Sequence, residues 1–129
     1  MRRDALFPEG LARPKAPYSP VVRSGDHVYT AGQVAFDANG DLVPGGIAQQ
    51  TEQALANLRT CLRAAGCSLD DVVRVNVFLL DLADFEAFNA VYAAAFDEPY
   101  PARTTVQAGL PGGILVELEA VARIPGAAS

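Results

Sequence analysis

Residues 101–122 read PARTTVQAGLPGGILVELEAVA, two β-forming runs on either side of Pro111-Gly112-Gly113. A glycine-rich link this short predicts an antiparallel pair of strands, ARTTVQAGL and ILVELEAVA, joined by a tight connection. In the second run Leu115, Glu117, Glu119 and Val121 alternate onto one face. Upstream, VVRVNVFLL at 72–80 is β-branched and aromatic and predicts a central strand, with Val73, Val75, Val77 and Leu79 on one face and Arg74 and Asn76 on the other. Between these strands Phe85, Phe88, Tyr92, Ala95 and Phe96 recur at helical spacing, which predicts a helix from about Leu82 to Phe96 with Asp81 near its start. Asn89 falls on the same stripe.

Further toward the N-terminus, Pro44-Gly45-Gly46 leads into a second helical stripe of Ile47, Ala54, Leu55, Leu58, Cys61, Leu62 and Ala65. Gly66 stands where a left-handed cap would end that helix. YSPVVR at 18–23 and HVYTAG at 27–32 flank Ser24-Gly25-Asp26 and read as a hairpin, and Asp37-Ala38-Asn39-Gly40 is another turn. The order is ββαβαββ, an α+β fold with a mixed sheet and both helices packed on one face. One domain is expected over 1–129, with 1–16 and 125–129 loosely ordered. The second sheet face would then carry apolar side chains with no helix to cover them. Such patches mark association surfaces, so a homo-oligomer whose sheets meet is expected.

The 129 residues are 50% hydrophobic and 19% charged, enough for one core without disulfide or metal staples. A formal net charge of -5 argues against a function resting on broad attraction to nucleic acid or anionic membrane. His27 is the only histidine, which excludes multi-histidine metal sites and HExxH chemistry; no metal and no cofactor are expected. The first 20 residues contain Pro8, Pro14, Pro17 and Pro20 and no apolar run of signal-peptide length, and the longest strongly apolar run is Val77 to Leu80. A cytoplasmic protein without a membrane span is expected, and Cys61 and Cys67 read as reduced structural cysteines. No GxGxxG or GxxxxGK[ST] is present, so nucleotide phosphates are not expected ligands.

Several polar residues stand out against this background, each with two readings. Glu117 and Glu119 are either a solvated acidic stripe on an edge strand or working carboxylates. Arg103 is a surface cation, half of a structural ion pair, or an anchor for a small acid, since a guanidinium grips a carboxylate through paired hydrogen bonds. Tyr18 is an anchoring aromatic at a loop end or part of a site. Asn89 is a satisfied polar residue at a core edge or part of a site. His27 has no partner that the sequence names. Whether Arg103 and Glu117 face the same side is left open, because one residue in the 111–113 connection inverts the answer.

Together these residues resemble the RidA/YjgF family of enamine and imine deaminases. The resemblance runs from about Pro17 to Arg123 and rests chiefly on residues 101–122, with support from APYSP at 16–20, TAGQVA at 30–35 and residues 72–96. It implies a chorismate-mutase-like α+β fold assembled as a homotrimer, with active sites in the clefts between subunits. It also implies that Arg103 binds a substrate carboxylate and that Glu117 positions or activates the attacking water. By the same likeness Tyr18, Gly32 and Asn89 are substrate-binding positions. Thr105 stands where many deaminating members carry a cysteine, and the stretch from Arg103 to Leu110 is one residue shorter than in many of them. The implied reaction is metal-independent hydrolysis of a small imino acid of the 2-aminoacrylate type to a 2-oxo acid and ammonia. Rival readings are a non-catalytic small-acid binder on the same scaffold and, more distantly, RNA cleavage or translation inhibition.

Overall fold

A computed structural model describes residues 3–126. Strands β1 (Asp4–Leu6), β2 (Val21–Ser24) and β3 (His27–Thr30) form an antiparallel meander. Ser24 pairs with His27 across a two-residue loop in which Gly25 takes φ +61°, a left-handed backbone that glycine adopts without steric cost. Helix α1 (Ile47–Ala64) follows, then β4 (Val72–Leu79), α2 (Phe85–Ala95), β5 (Ala102–Gln107) and β6 (Val116–Arg123). The sheet order is β1-β2-β3-β6-β4-β5, with β4 and β5 parallel and the other pairs antiparallel.

Helix α1 ends as its sequence predicts. Gly66 has φ +81°, its N–H donates to the Arg63 carbonyl at 3.0 Å, and the Cys67 N–H donates to the Leu62 carbonyl at 2.8 Å. These two bonds satisfy carbonyls that the helix leaves open. The buried stripe Ala54, Leu55, Leu58, Cys61 and Leu62 packs with Phe88 and Tyr92 of α2 onto Val21, Val28, Val75, Val77, Leu79, Val116 and Leu118 of the sheet. Each fully buried aliphatic or aromatic side chain there contributes about 1.5–3 kcal/mol relative to exposure. Cys61 and Cys67 are free and buried, and burial pushes the Cys61 thiol up to about 12, which leaves it protonated and inert.

The opposite sheet face carries Tyr29, Phe78, Val106, Leu115 and Val121 among polar residues, and no helix covers it; Tyr29 is 46% and Val106 42% exposed. No helix among the described residues is long and apolar enough to cross a membrane.

Three expectations from sequence are corrected, and one of two open readings is removed. The runs flanking Pro111-Gly112-Gly113 are not an antiparallel pair: β4 lies between β5 and β6 and hydrogen-bonds to both. Strand β6 is accordingly interior, not an edge. Val73 does not face the core; a register shift between Val72 and Arg74 turns it outward at 48% exposure and puts Val72 inside, the effect of a β-bulge. Residues 4–6, expected to be loose, extend the meander as β1, so the order is βββαβαββ. Of the tail expected to be loose, residues 127–129 lie outside the described residues.

Candidate active site

Strand register decides where the candidate side chains point. Arg103 and Thr105 on β5 pair with Val75 and Val77 of β4, both buried beneath the helices, so both candidates project to the helix side. Glu117 and Glu119 on β6 pair with Phe78 and Asn76 and project to the uncovered side. The sheet therefore separates Arg103 from Glu117 within one chain, and the two strands stand two spacings apart, about 10 Å.

On the helix side the Arg103 guanidinium lies over three rings of α2, with its carbon 4.8 Å from the Tyr92 centroid, 5.5 Å from Phe88 and 5.7 Å from Phe85. Such distances place it within cation–π range. Arg103 is half-buried and has no carboxylate partner among the described residues. A hollow of about 340 Å³ opens beside it, lined by Asn89, Tyr92, Ala93, Tyr100, Pro101 and Arg103. Asn89 Oδ1, Tyr92 Oη and Thr105 Oγ1 are buried and lack hydrogen-bond partners among the described residues. Buried polar atoms are rarely left so. Burial pushes the Tyr92 phenol up to about 12, with the charge of Arg103 opposing, so the hydroxyl keeps its proton.

On the other side Glu117 lies directly under Gly32. A Cβ built on Gly32 would fall 2.7 Å from Glu117 Cδ, so any other residue there would push the carboxylate from this position. Burial, and secondarily the charge of Glu119, holds the Glu117 carboxyl above its ordinary range. Glu119 accepts a 3.3 Å hydrogen bond from Asn76 Nδ2. Tyr18, 54% exposed, shares with Gly32 a small hollow of about 90 Å³. The candidates thus form two groups. Arg103 and Asn89 share a hollow on the helix side, where Thr105 also points; Glu117 lies against Gly32 on the other side, and Gly32 in turn borders the hollow that holds Tyr18.

His27 Nδ1 lies 2.8 Å from Asp26 Oδ1, at the hairpin and apart from both groups. Among the described residues no three His, Cys, Asp or Glu side chains gather in a way that could hold a metal ion.

Two buried polar residues of α1, not singled out from sequence, hold the framework. Asn57 donates to the Val34 and Phe36 carbonyls, both at 2.9 Å, and accepts from Gln53 Nε2 at 2.9 Å. This pins the segment that follows Gly32, while Gln33 and Leu118 exchange backbone bonds of 2.7 and 3.0 Å that tie it to β6. Gln50 donates to the Gly113 carbonyl at 3.0 Å and accepts from the Leu115 N–H at 2.8 Å, which sets the approach to Glu117. The available signal was their position: Gln50, Ala54, Asn57 and Cys61 follow helical spacing on the buried stripe, where a polar side chain must have a partner.

The fold defines a class, an α+β protein of one six-stranded mixed sheet with two helices, and here the candidate polar residues are divided between the two faces of that sheet. The chain belongs to the endoribonuclease L-PSP family, which includes RidA and YjgF and whose pattern matches residues 10–124. It is 42% identical over 122 residues to a RutC family protein of Pyrococcus horikoshii, a match that covers 93% of this chain and 97% of that one. A Bos taurus protein named 2-iminobutanoate/2-iminopropanoate deaminase is 45% identical over 108 residues, 82% of this chain and 79% of the relative. The crystal structure of RidA from an Antarctic Psychrobacter superposes with a TM-score of 0.89 at 40% identity, covering 94% of this chain and 99% of that one.

Proposed function

We propose that this chain hydrolyses the imines of small 2-oxo acids, with each active site completed by two copies in a homotrimer. The observation that carries this reading is the Arg103 guanidinium, half-buried with no acid partner among the described residues, beside a hollow that it shares with Asn89 and on the same face of the sheet as Thr105, both of which carry a buried oxygen without a partner. A cation so placed suits a ligand carboxylate with hydrogen-bonding groups beside it. The deaminase name of the mammalian relatives supports the same substrate class. Since Glu117 points to the other face, the carboxylate that serves Arg103 belongs to the next copy. A head-to-tail contact gives a ring when its rotation closes and an open filament when it does not; a closed ring is the arrangement proposed, and the uncovered sheet face supplies apolar surface for it. Three copies is the number the family resemblance implies.

The chemistry follows from the groups present. Arg103 holds the substrate carboxylate and thereby fixes the C=N carbon. Glu117 takes a proton from water as the oxygen adds to that carbon, which gives a carbinolamine. It then passes the proton to the amino nitrogen. The C–N bond breaks as the hydroxyl proton returns to Glu117, and ammonia leaves with that proton as ammonium. Iminium plus water becomes 2-oxo acid plus ammonium, and Glu117 ends as it began. A carboxyl held above its ordinary range suits both directions of transfer near neutrality.

The test generates a 2-imino acid with an amino acid oxidase and follows semicarbazide trapping. The chain should lower semicarbazone yield, and Arg103→Ala should abolish the effect. Unchanged trapping by a parent protein that still binds pyruvate would establish a binder and not an enzyme.

A further inference from the structure

The three rings over Arg103 come from positions 85, 88 and 92, spacings of three and four that put them on one face of α2. Strand β5 delivers the guanidinium into that face from below. A half-buried arginine usually meets a carboxylate, which occupies its N–H fork. Here the rings compensate the charge from their faces without accepting in-plane hydrogen bonds, so the fork stays open. Tyr92 is the nearest of the three and is 4% exposed. Its hydroxyl is buried without a partner among the described residues, so the fold does not depend on a bond from that group.

We propose that Tyr92 is a positioning residue whose ring, and not its hydroxyl, holds Arg103 ready for a carboxylate, with Phe88 and Phe85 as further, weaker walls. The proposal rests on the reading of Arg103 as the carboxylate anchor and adds what sets the strength of that anchor. Loss of the ring weakens capture of the substrate and leaves proton transfer at Glu117 untouched, so it raises KM more than it lowers kcat.

Calorimetric titration with pyruvate tests it on the parent and on Tyr92→Leu, Tyr92→Phe and Phe85→Leu. Tyr92→Leu should bind about 3- to 30-fold more weakly, the range of a partly desolvated cation–π contact. Tyr92→Phe, which restores the ring, should recover binding to within about twofold of the parent, and Phe85→Leu should lose about two- to fivefold. In ligand-free samples the Arg103 Nε–Hε resonance, assigned by its absence in Arg103→Lys, should be ring-shifted in the parent and in Tyr92→Phe and should lose part of that shift in Tyr92→Leu, where Phe85 and Phe88 remain. Unchanged affinity in Tyr92→Leu overturns the proposal. So does a loss in Tyr92→Phe as large as in Tyr92→Leu, which would make the hydroxyl the working group. If Tyr92→Leu does not fold, Phe85→Leu decides, because that side chain is 39% exposed; unchanged affinity there is also fatal. A parent that binds no pyruvate, or Arg103→Ala binding as well as the parent, brings down the anchor reading and the proposal with it. A ring-shifted Arg103 signal would distinguish that outcome from an error in the geometry.

Discussion

Arg103 and Glu117 leave the sheet on opposite faces, Arg103 beside Val75 beneath the helices and Glu117 beside Phe78 on the uncovered side. A ligand of a few atoms cannot touch both in one chain. Under the proposed function, therefore, Arg103→Ala and Glu117→Gln should each lower imine hydrolysis by about 10²-fold or more, yet complement each other in mixed oligomers. With random assortment into trimers, about a quarter of sites would draw both intact groups from different copies. Light scattering should give about three times the chain mass of 13.6 kDa. Co-refolded mixtures as inactive as either variant alone would place both groups of a site in one copy, and a stable monomer would leave every site incomplete.

The two glutamates of β6 should differ sharply. Glu117→Gln preserves shape and can hold a water but cannot accept a proton, so turnover should fall about 10²- to 10⁴-fold. Glu119, which accepts from Asn76, should tolerate glutamine with far less loss. Steady-state rates on one imine across several pH values check both. Activity retained in Glu117→Gln and lost in Glu119→Gln would reassign the acid–base group to Glu119.

Glu117 also leaves a signature in stability. Its carboxyl titrates above the ordinary 4.5 because of burial, with Glu119 adding to the effect. Between 4.5 and the raised value the folded state holds more protons than the unfolded state, so stability falls as pH rises through that window and the penalty persists above it. Glutamine has no such penalty. Glu117→Gln should therefore melt above the parent at pH 8 and close to it at pH 4. Thermal melts at the two pH values decide, and equal shifts at both would mean that ionisation is not the cause.

The segment at Gly32 should be intolerant for two separable reasons. Gly32→Ala sets a methyl group against the Glu117 carboxylate, so it should cost activity while the fold survives, because the carboxylate can swing outward. Asn57→Ala removes the side-chain donor to the Phe36 carbonyl and one of the two donors to the Val34 carbonyl, which keeps the Phe36 N–H, and should cost about 1–3 kcal/mol of stability. Denaturant titration alongside the imine assay separates the two. Asn57→Ala with parental stability would show that water replaces the side chain.

Local patterns in the chain were enough for much of the fold. The Gly25 hairpin, the α1 stripe with its Gly66 cap, the β-forming run at 72–80 and the two-helix α+β class all follow from short-range sterics and periodicity, which act the same way wherever the segment ends up. Pairing is a different matter. Pro111-Gly112-Gly113 reads as a hairpin turn, but β4 inserts between β5 and β6 because parallel pairing with β5 and antiparallel pairing with β6 bury Val75, Val77 and Leu79 on one face. Three residues at 4–6 become a strand only because β2 offers an unpaired edge, and Val73 turns outward only because β4 shifts register there. The site divides along the same line. Arg103, Glu117, Gly32, Asn89 and Tyr18 could be picked out by type and resemblance from the chain itself. The separation of Arg103 from Glu117 by the sheet, the aromatic surround of Arg103 and the burial that raises Glu117 were decided by strand register and packing, since a side chain's face depends on partners distant in sequence.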